Sequence, residues 1–193
     1  AHAVVVLGLN VVKGLTLCAT AFDMMRNAGM NELWRHSLGV AMTAHILGTK
    51  AAMKNPEEVF VAGLLHDIGK VVLYVKWPDV GQQITTVTRN TSRPLMDTEQ
   101  ELFEVTHADV GGWLASAWHL PTSLREPILH HHTPAAAQDA KLQTAIVHVA
   151  DVLVKGLACG NPGDDLVPPL SRQAWDLVGL DAQSLAHCLT QAT

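Results

Sequence analysis

The chain has 193 residues, 48% of them hydrophobic, which is long enough to bury a core and suits one soluble domain over 1–193 better than two. Thirteen basic against eighteen acidic residues leave a formal charge of -5, which excludes a basic field able to hold a nucleic-acid backbone non-specifically. The three cysteines, Cys18, Cys159 and Cys188, stand far apart without C-x-x-C spacing. They exclude a zinc knuckle or a redox motif and fit reduced thiols in a cytoplasmic protein.

Helical periodicity dominates and strand signals are almost absent, so the predicted class is all-α. The first predicted helix, near 3–22, approaches the length of a membrane span. Asn10, Lys13 and Gly14 interrupt it near its centre, and it reads as a buried helix. It lacks the basic start and small-residue cleavage site of a secretory signal. Further helices are predicted near 31–48, 56–75, 79–90, 97–105, 107–118, 122–132, 139–158 and 171–190, the last broken around Gly179 to Asp181. Asn55 before Pro56, followed by Glu57 and Glu58, gives a cap, a proline at the first helical position and acids in the first turn. Thr98 and Glu101 have the spacing of a capping box. The run from Gly160 to Pro169, rich in Gly, Pro and Asp, reads as a loop.

Chemistry concentrates in the predicted helix 56–75. From Phe60 to Val75 it is almost wholly apolar except for His66, Asp67 and Lys70, and a helix apolar all round is a buried one. A lone buried carboxylate costs several kcal/mol, roughly, unless a cation or donors compensate it. Lys70, one turn on, offers a plain ion pair. A metal ion is the other answer, because adjacent imidazole and carboxylate suit zinc, iron or manganese. The remaining histidines favour the metal. His36 lies in a helix, His107 opens one, and His131 and His132 close another, while Asp151 is a second acid in a run that looks buried. Two such acids and several histidines on separate helices need a shared positive charge.

His130 cannot face the same point as both its neighbours, since a helix turns about 100° per residue, and it is left out of the set. His45, His119, His148 and His187 read as structural or exposed. Asp109 reads as a solvated helix-start acid, with orientation of His107 as the alternative. Trp34, Trp113 and Trp118 read as packing residues.

The order His, His-Asp, His, His-His, Asp resembles the HD-domain phosphohydrolase superfamily. Five blocks narrow the resemblance to its HDOD branch: Leu33-Trp-Arg-His-Ser37, Ala62-Gly-Leu-Leu-His-Asp-Ile-Gly-Lys70, His107-Ala-Asp-Val-Gly111, Trp118-His-Leu-Pro121 and His131-His-Thr-Pro134. They span about Val4 to Val154. The resemblance implies a helical bundle, a role in bacterial signalling output, and further helices before the domain that this chain is expected to lack. It implies metal ligation by His36, His66, Asp67, His107, His131, His132 and Asp151, with Asp67 bridging two ions and Glu32 as an extra acidic ligand. One or two ions of iron, manganese or zinc are expected. Lys70 matches a phosphate-binding lysine, which makes Lys70 and Asp67 the catalytic candidates. The sequence after His132 has no Gly-Tyr-Pro element, unlike the related HD-GYP branch, which hydrolyses cyclic di-GMP. The expected function is therefore a metal-holding signalling domain that binds a phosphoester or nucleotide ligand or a protein partner, without membrane association. The alternative is a metal-dependent phosphodiesterase that uses a metal-bridging hydroxide.

Overall fold

The computed structural model describes residues 9–91 and 93–179, apart from the side chain of Asn10. Among them every regular element is helical. In chain order these are α1 (Leu9–Asn27), α2 (Asn31–Lys50), α3 (Pro56–Leu65), α4 (Ile68–Lys76), α5 (Pro78–Thr91), α6 (Leu95–Phe103), α7 (His107–Ala117), α8 (Thr122–His130), a 3-10 turn (Pro134–Ala136), α9 (Lys141–Gly156) and α10 (Arg172–Val178). The expected starts of the first helix and most of the last, with His187 and Cys188, lie outside the described residues. No described helix is long and apolar enough to cross a membrane.

The helix expected over 56–75 is two helices. His66 and Asp67 form a turn between them, with Asp67 at φ -98°, ψ 14°, and the backbone N–H of Lys70 donates to the Asp67 carbonyl at 3.0 Å. Apolar side chains run unbroken across this corner, so hydrophobic pattern alone gives no sign of it. The predicted capping box at Thr98 is also absent. α6 starts three residues earlier, after Pro94, and Glu101 instead pairs with Arg93. Asn55 makes no side-chain cap bond, although Pro56 does occupy the first turn beside Glu57 and Glu58.

The core lies where α3 packs against α2, α8 and α9. Val40, Leu47, Val59, Leu65, Leu124 and Ile146 are fully enclosed there, each worth about 1.5–3 kcal/mol for removal from water. Two glycines set the close approaches around the corner. A Cβ on Gly69 would stand 1.9 Å from the His107 carbonyl oxygen, so only glycine lets α4 meet the start of α7. Gly160, at φ +72°, lies against the backbone of α2, where a Cβ would come within 2.4 Å of the His36 nitrogen.

Candidate metal centre

The corner projects Asp67 into a cluster drawn from five parts of the chain. Its two carboxylate oxygens face different histidines. Oδ2 lies 3.3 Å from His66 Nε2 and 4.0 Å from His36 Nε2. Oδ1 lies 3.3 Å from His107 Nε2 and 3.8 Å from His131 Nε2. Asp151, from α9, places Oδ1 3.0 Å from His36 Nε2 and 3.9 Å from His66 Nε2. His132 Nε2 stands 3.0 Å from His107 Nε2. His36, His66, Asp67, His107, His131 and Asp151 are all buried.

Hydrogen bonds on the outer ring atoms fix which nitrogen faces inward. The Nδ1 of His66 donates to the Gly63 carbonyl at 2.7 Å, and that of His131 to the Ile128 carbonyl at 2.9 Å. His107 Nδ1 donates to Glu99 Oε2 at 2.6 Å. With the proton on Nδ1, each Nε2 presents a lone pair to the centre. Glu99 also accepts the backbone N–H of His107 at 2.8 Å.

Sequence reasoning missed Glu99. It sits in α6 within Glu99-Gln-Glu101, which looks like a solvated face; the signal that could have found it is its place four residues after Leu95, on the side of the helix that Leu95 and Thr98 bury. The reversal runs through Glu104 in the left-handed region, φ 57°. Asp109 does not orient His107. It completes a capping box with Thr106, its carboxylate accepting the Thr106 backbone N–H at 2.9 Å. Glu32 is not brought to the cluster: its side chain is 56% exposed and pairs with Arg35 at 3.2 Å. His148 is buried and structural, as expected, donating from Nδ1 to the His131 carbonyl at 2.7 Å. His119 is exposed.

The residues fit a metal on two grounds. His66 Nε2, His131 Nε2 and Asp67 Oδ1 are buried without a hydrogen-bond partner, and His36 Nε2 and Asp151 Oδ1, though 3.0 Å apart, are not aligned for a hydrogen bond either, an arrangement a protein interior rarely tolerates. Charge points the same way. Lys70, whose Nζ lies 2.8 Å from Asp67 Oδ2, is one ammonium against the three buried carboxylates of Asp67, Asp151 and Glu99. The plain ion-pair answer to the buried Asp67 is present, but one ammonium does not balance three carboxylates. His36, His66 and Asp67 form one group able to hold an ion, and His107, His131 and His132 a second. Within each group the candidate ligand atoms lie within 4.8 Å of one another.

Protonation is consistent with this. Burial holds His131 and His132 well below the ordinary imidazole range, with neighbouring imidazoles adding to the effect. Burial also lowers His36. Burial opposes charge on His66, but Asp67, Asp151 and the Gly63 carbonyl together outweigh it and raise that group. Asp67 and Asp151 stay ionised: burial works against them, and the surrounding cationic and hydrogen-bonding groups hold both below the usual carboxylate range.

A cavity of about 400 Å³ reaches the cluster, lined by Lys70, His107 and His132 together with Leu95, Val167 and Pro168. A larger apolar groove, about 530 Å³ between Trp77 and Trp113, has no ligating or titratable lining.

A bundle without strands among the described residues, with a His-Asp pair at a helix corner ringed by histidines and a second aspartate, defines an HD-type helical domain. This chain belongs to the HDOD domain family, whose sequence profile matches residues 1–134. A crystal structure of an HDOD domain protein of unknown function from Geobacter sulfurreducens is similar to it, with a TM-score of 0.79 and 26% identity over 98% of this chain and 70% of that one. A crystal structure from Shewanella amazonensis SB2B, provisionally described as a phosphohydrolase, shares the fold at a TM-score of 0.69, with 23% identity over 98% of this chain and 71% of that one. An uncharacterised protein of Treponema pallidum (strain Nichols) is 27% identical over 145 residues, 75% of this chain. The chain spans 28% of that relative's length.

Proposed function

We propose that this chain is an HDOD-type signalling domain that holds a pair of divalent transition-metal ions, bridged by Asp67, and recognises a phosphoester ligand at them. The observation that carries the proposal is the division of labour on Asp67, one oxygen facing His36 and His66 and the other His107 and His131. His36, His66 and Asp151 would hold one ion; His107, His131 and His132 would hold the other. Bound ions would supply Lewis-acid polarisation of a phosphoryl group. Lys70 lies at the junction of cluster and cavity, and its ammonium spends one of three donors on Asp67. The others are free to meet a phosphoryl oxygen. Apolar side chains in the same lining, among them Leu95, Val167 and Pro168, would strengthen that contact by lowering the local dielectric.

Hydrolysis is the second reading, favoured by the same placement of Lys70, because a donor there would also stabilise charge developing on phosphoryl oxygens. The absence of a Gly-Tyr-Pro element after His132 argues against cyclic di-GMP as its substrate.

Calorimetric titration of metal-loaded protein with a panel of phosphomonoesters and phosphodiesters, alongside cleavage assays on an aryl phosphodiester, tests both readings. We expect binding that Lys70→Ala weakens while keeping its metal, and negligible cyclic di-GMP turnover. Binding without cleavage supports the signalling reading, and cleavage abolished in Asp67→Asn supports hydrolysis. No binding anywhere in the panel would overturn the ligand assignment.

A further inference from the structure

The chain from Gly160 to Ser171 crosses the outer side of the cluster as an irregular strap, tied at both ends and in the middle. At its start the Asn161 N–H donates to the Glu32 carbonyl at 3.3 Å, one turn before His36. At its end the Ser171 N–H donates to His148 Nε2 at 3.0 Å, and His148 is in turn bonded to the His131 carbonyl. The middle is held by Asp164. Its carboxylate accepts Lys155 Nζ at 3.0 Å, the Leu95 N–H at 2.9 Å and the Leu166 N–H at 3.1 Å. Leu95 opens α6, the helix whose Glu99 orients His107.

The strap's own Leu166, Val167, Pro168 and Pro169 line the same cavity as Lys70, His107 and His132. Asn161, Pro162 and Gly163 line a second cavity, about 390 Å³, that also reaches Lys70. Two stretches of the strap thus line two cavities that each reach Lys70. The Asp164 and Lys155 side chains are 7% and 8% exposed, so the ion pair is shielded from water. Yet the segment has no helix or strand hydrogen bonds of its own. A segment held by a few side-chain bonds opens locally at far lower cost than the helices beneath it.

We propose that residues 160–171 are a gate over the metal cluster and that Asp164 is its latch. Closed, the strap walls the cavity off; released from Lys155 and Leu95, it exposes His107, His132 and Lys70 to ligand. The ligand role of the gate rests on the function proposed above, but the gate itself is a property of the protein with or without ions.

Two readouts test it without metal: hydrogen exchange across residues 160–171, and the rate at which diethyl pyrocarbonate modifies His132. Asp164→Asn, with Lys155→Met as the second variant, is expected to raise both about tenfold, the change that follows loss of charge-assisted hydrogen bonds. Helical content should stay unchanged. Asp176→Asn, outside the strap, should move neither. Faster exchange in the strap with unchanged modification at His132 would show that the strap is not the gate, and no change in either would show that Asp164 is not the latch. Should both variants fail to fold, the wild type decides: His132 modification should keep pace with strap opening, and modification only on global unfolding overturns the proposal. A wild type that gates as described but takes up no metal would defeat the proposed function and leave the gate standing.

Discussion

Glu99 Oε2 lies 2.6 Å from Nδ1 of His107, in a place where neither side chain meets water. The carboxylate fixes the imidazole tautomer and makes Nε2 a better donor to the centre. Glu99→Gln is therefore expected to weaken metal affinity about 10- to 100-fold, measured by competition with a chromogenic chelator. An affinity within about twofold of wild type, against that scale, would mean that Glu99 only supports the α6–α7 turn.

Gly69 is where the fold touches the site. Alanine there must push against the His107 carbonyl, and rigid backbone cannot yield as a flexible side chain would. Gly69→Ala is expected to cost about 1–3 kcal/mol of stability, typical of overpacking, and to reduce metal uptake by shifting His107 from Asp67. Chemical denaturation and metal analysis of the same preparation check both. Normal stability with full metal loading would refute the steric account.

Acid should destabilise the metal-free protein. His36, His131, His132 and His148 are each held below the ordinary imidazole range, chiefly by burial, so below about pH 6.5 the unfolded chain takes up protons that the folded one refuses. Stability tied to these groups is lost as pH falls from that value toward their folded pKa. His66, raised by Asp67, works the other way but is outnumbered. The depressed Asp67 and Asp151 add a further loss below about pH 4. The denaturation midpoint of chelator-treated protein should be higher at about pH 8 than at about pH 5.5. A higher midpoint at the lower pH would contradict the burial account.

Much of the bundle was legible because Asn31–Lys50, Pro78–Thr91, Thr122–His130 and Lys141–Gly156 carry clear helical patterns with polar or proline punctuation. The convergence of His36, His66, Asp67, His107, His131, His132 and Asp151 was legible too, in part because buried acids need a compensating charge and, for the full set, because the ordered blocks resemble the HD superfamily. The corner at His66–Asp67 was not, because both arms are buried and the apolar run passes through it. Glu99 was hidden for the opposite reason: its neighbours Gln100 and Glu101 are polar and mask the inward face of α6 that it shares with Leu95 and Thr98. Glu32 lies one turn from His36 on α2, yet solvent and Arg35 are nearer to it than the cluster is. Helical spacing gives a shared face and leaves the reach of the side chain open.

The central claim is that the cluster around Asp67 is a metal centre. Elemental analysis of protein purified without chelator, then offered iron, manganese or zinc, tests it most directly, with Asp67→Ala and the exposed His119→Asn measured alongside. We predict an ion for each of the two ligand groups in the wild type, severe loss in Asp67→Ala, and wild-type content in His119→Asn. Well under one ion per chain in the wild type after metal addition, or equal loss in both variants, would contradict it.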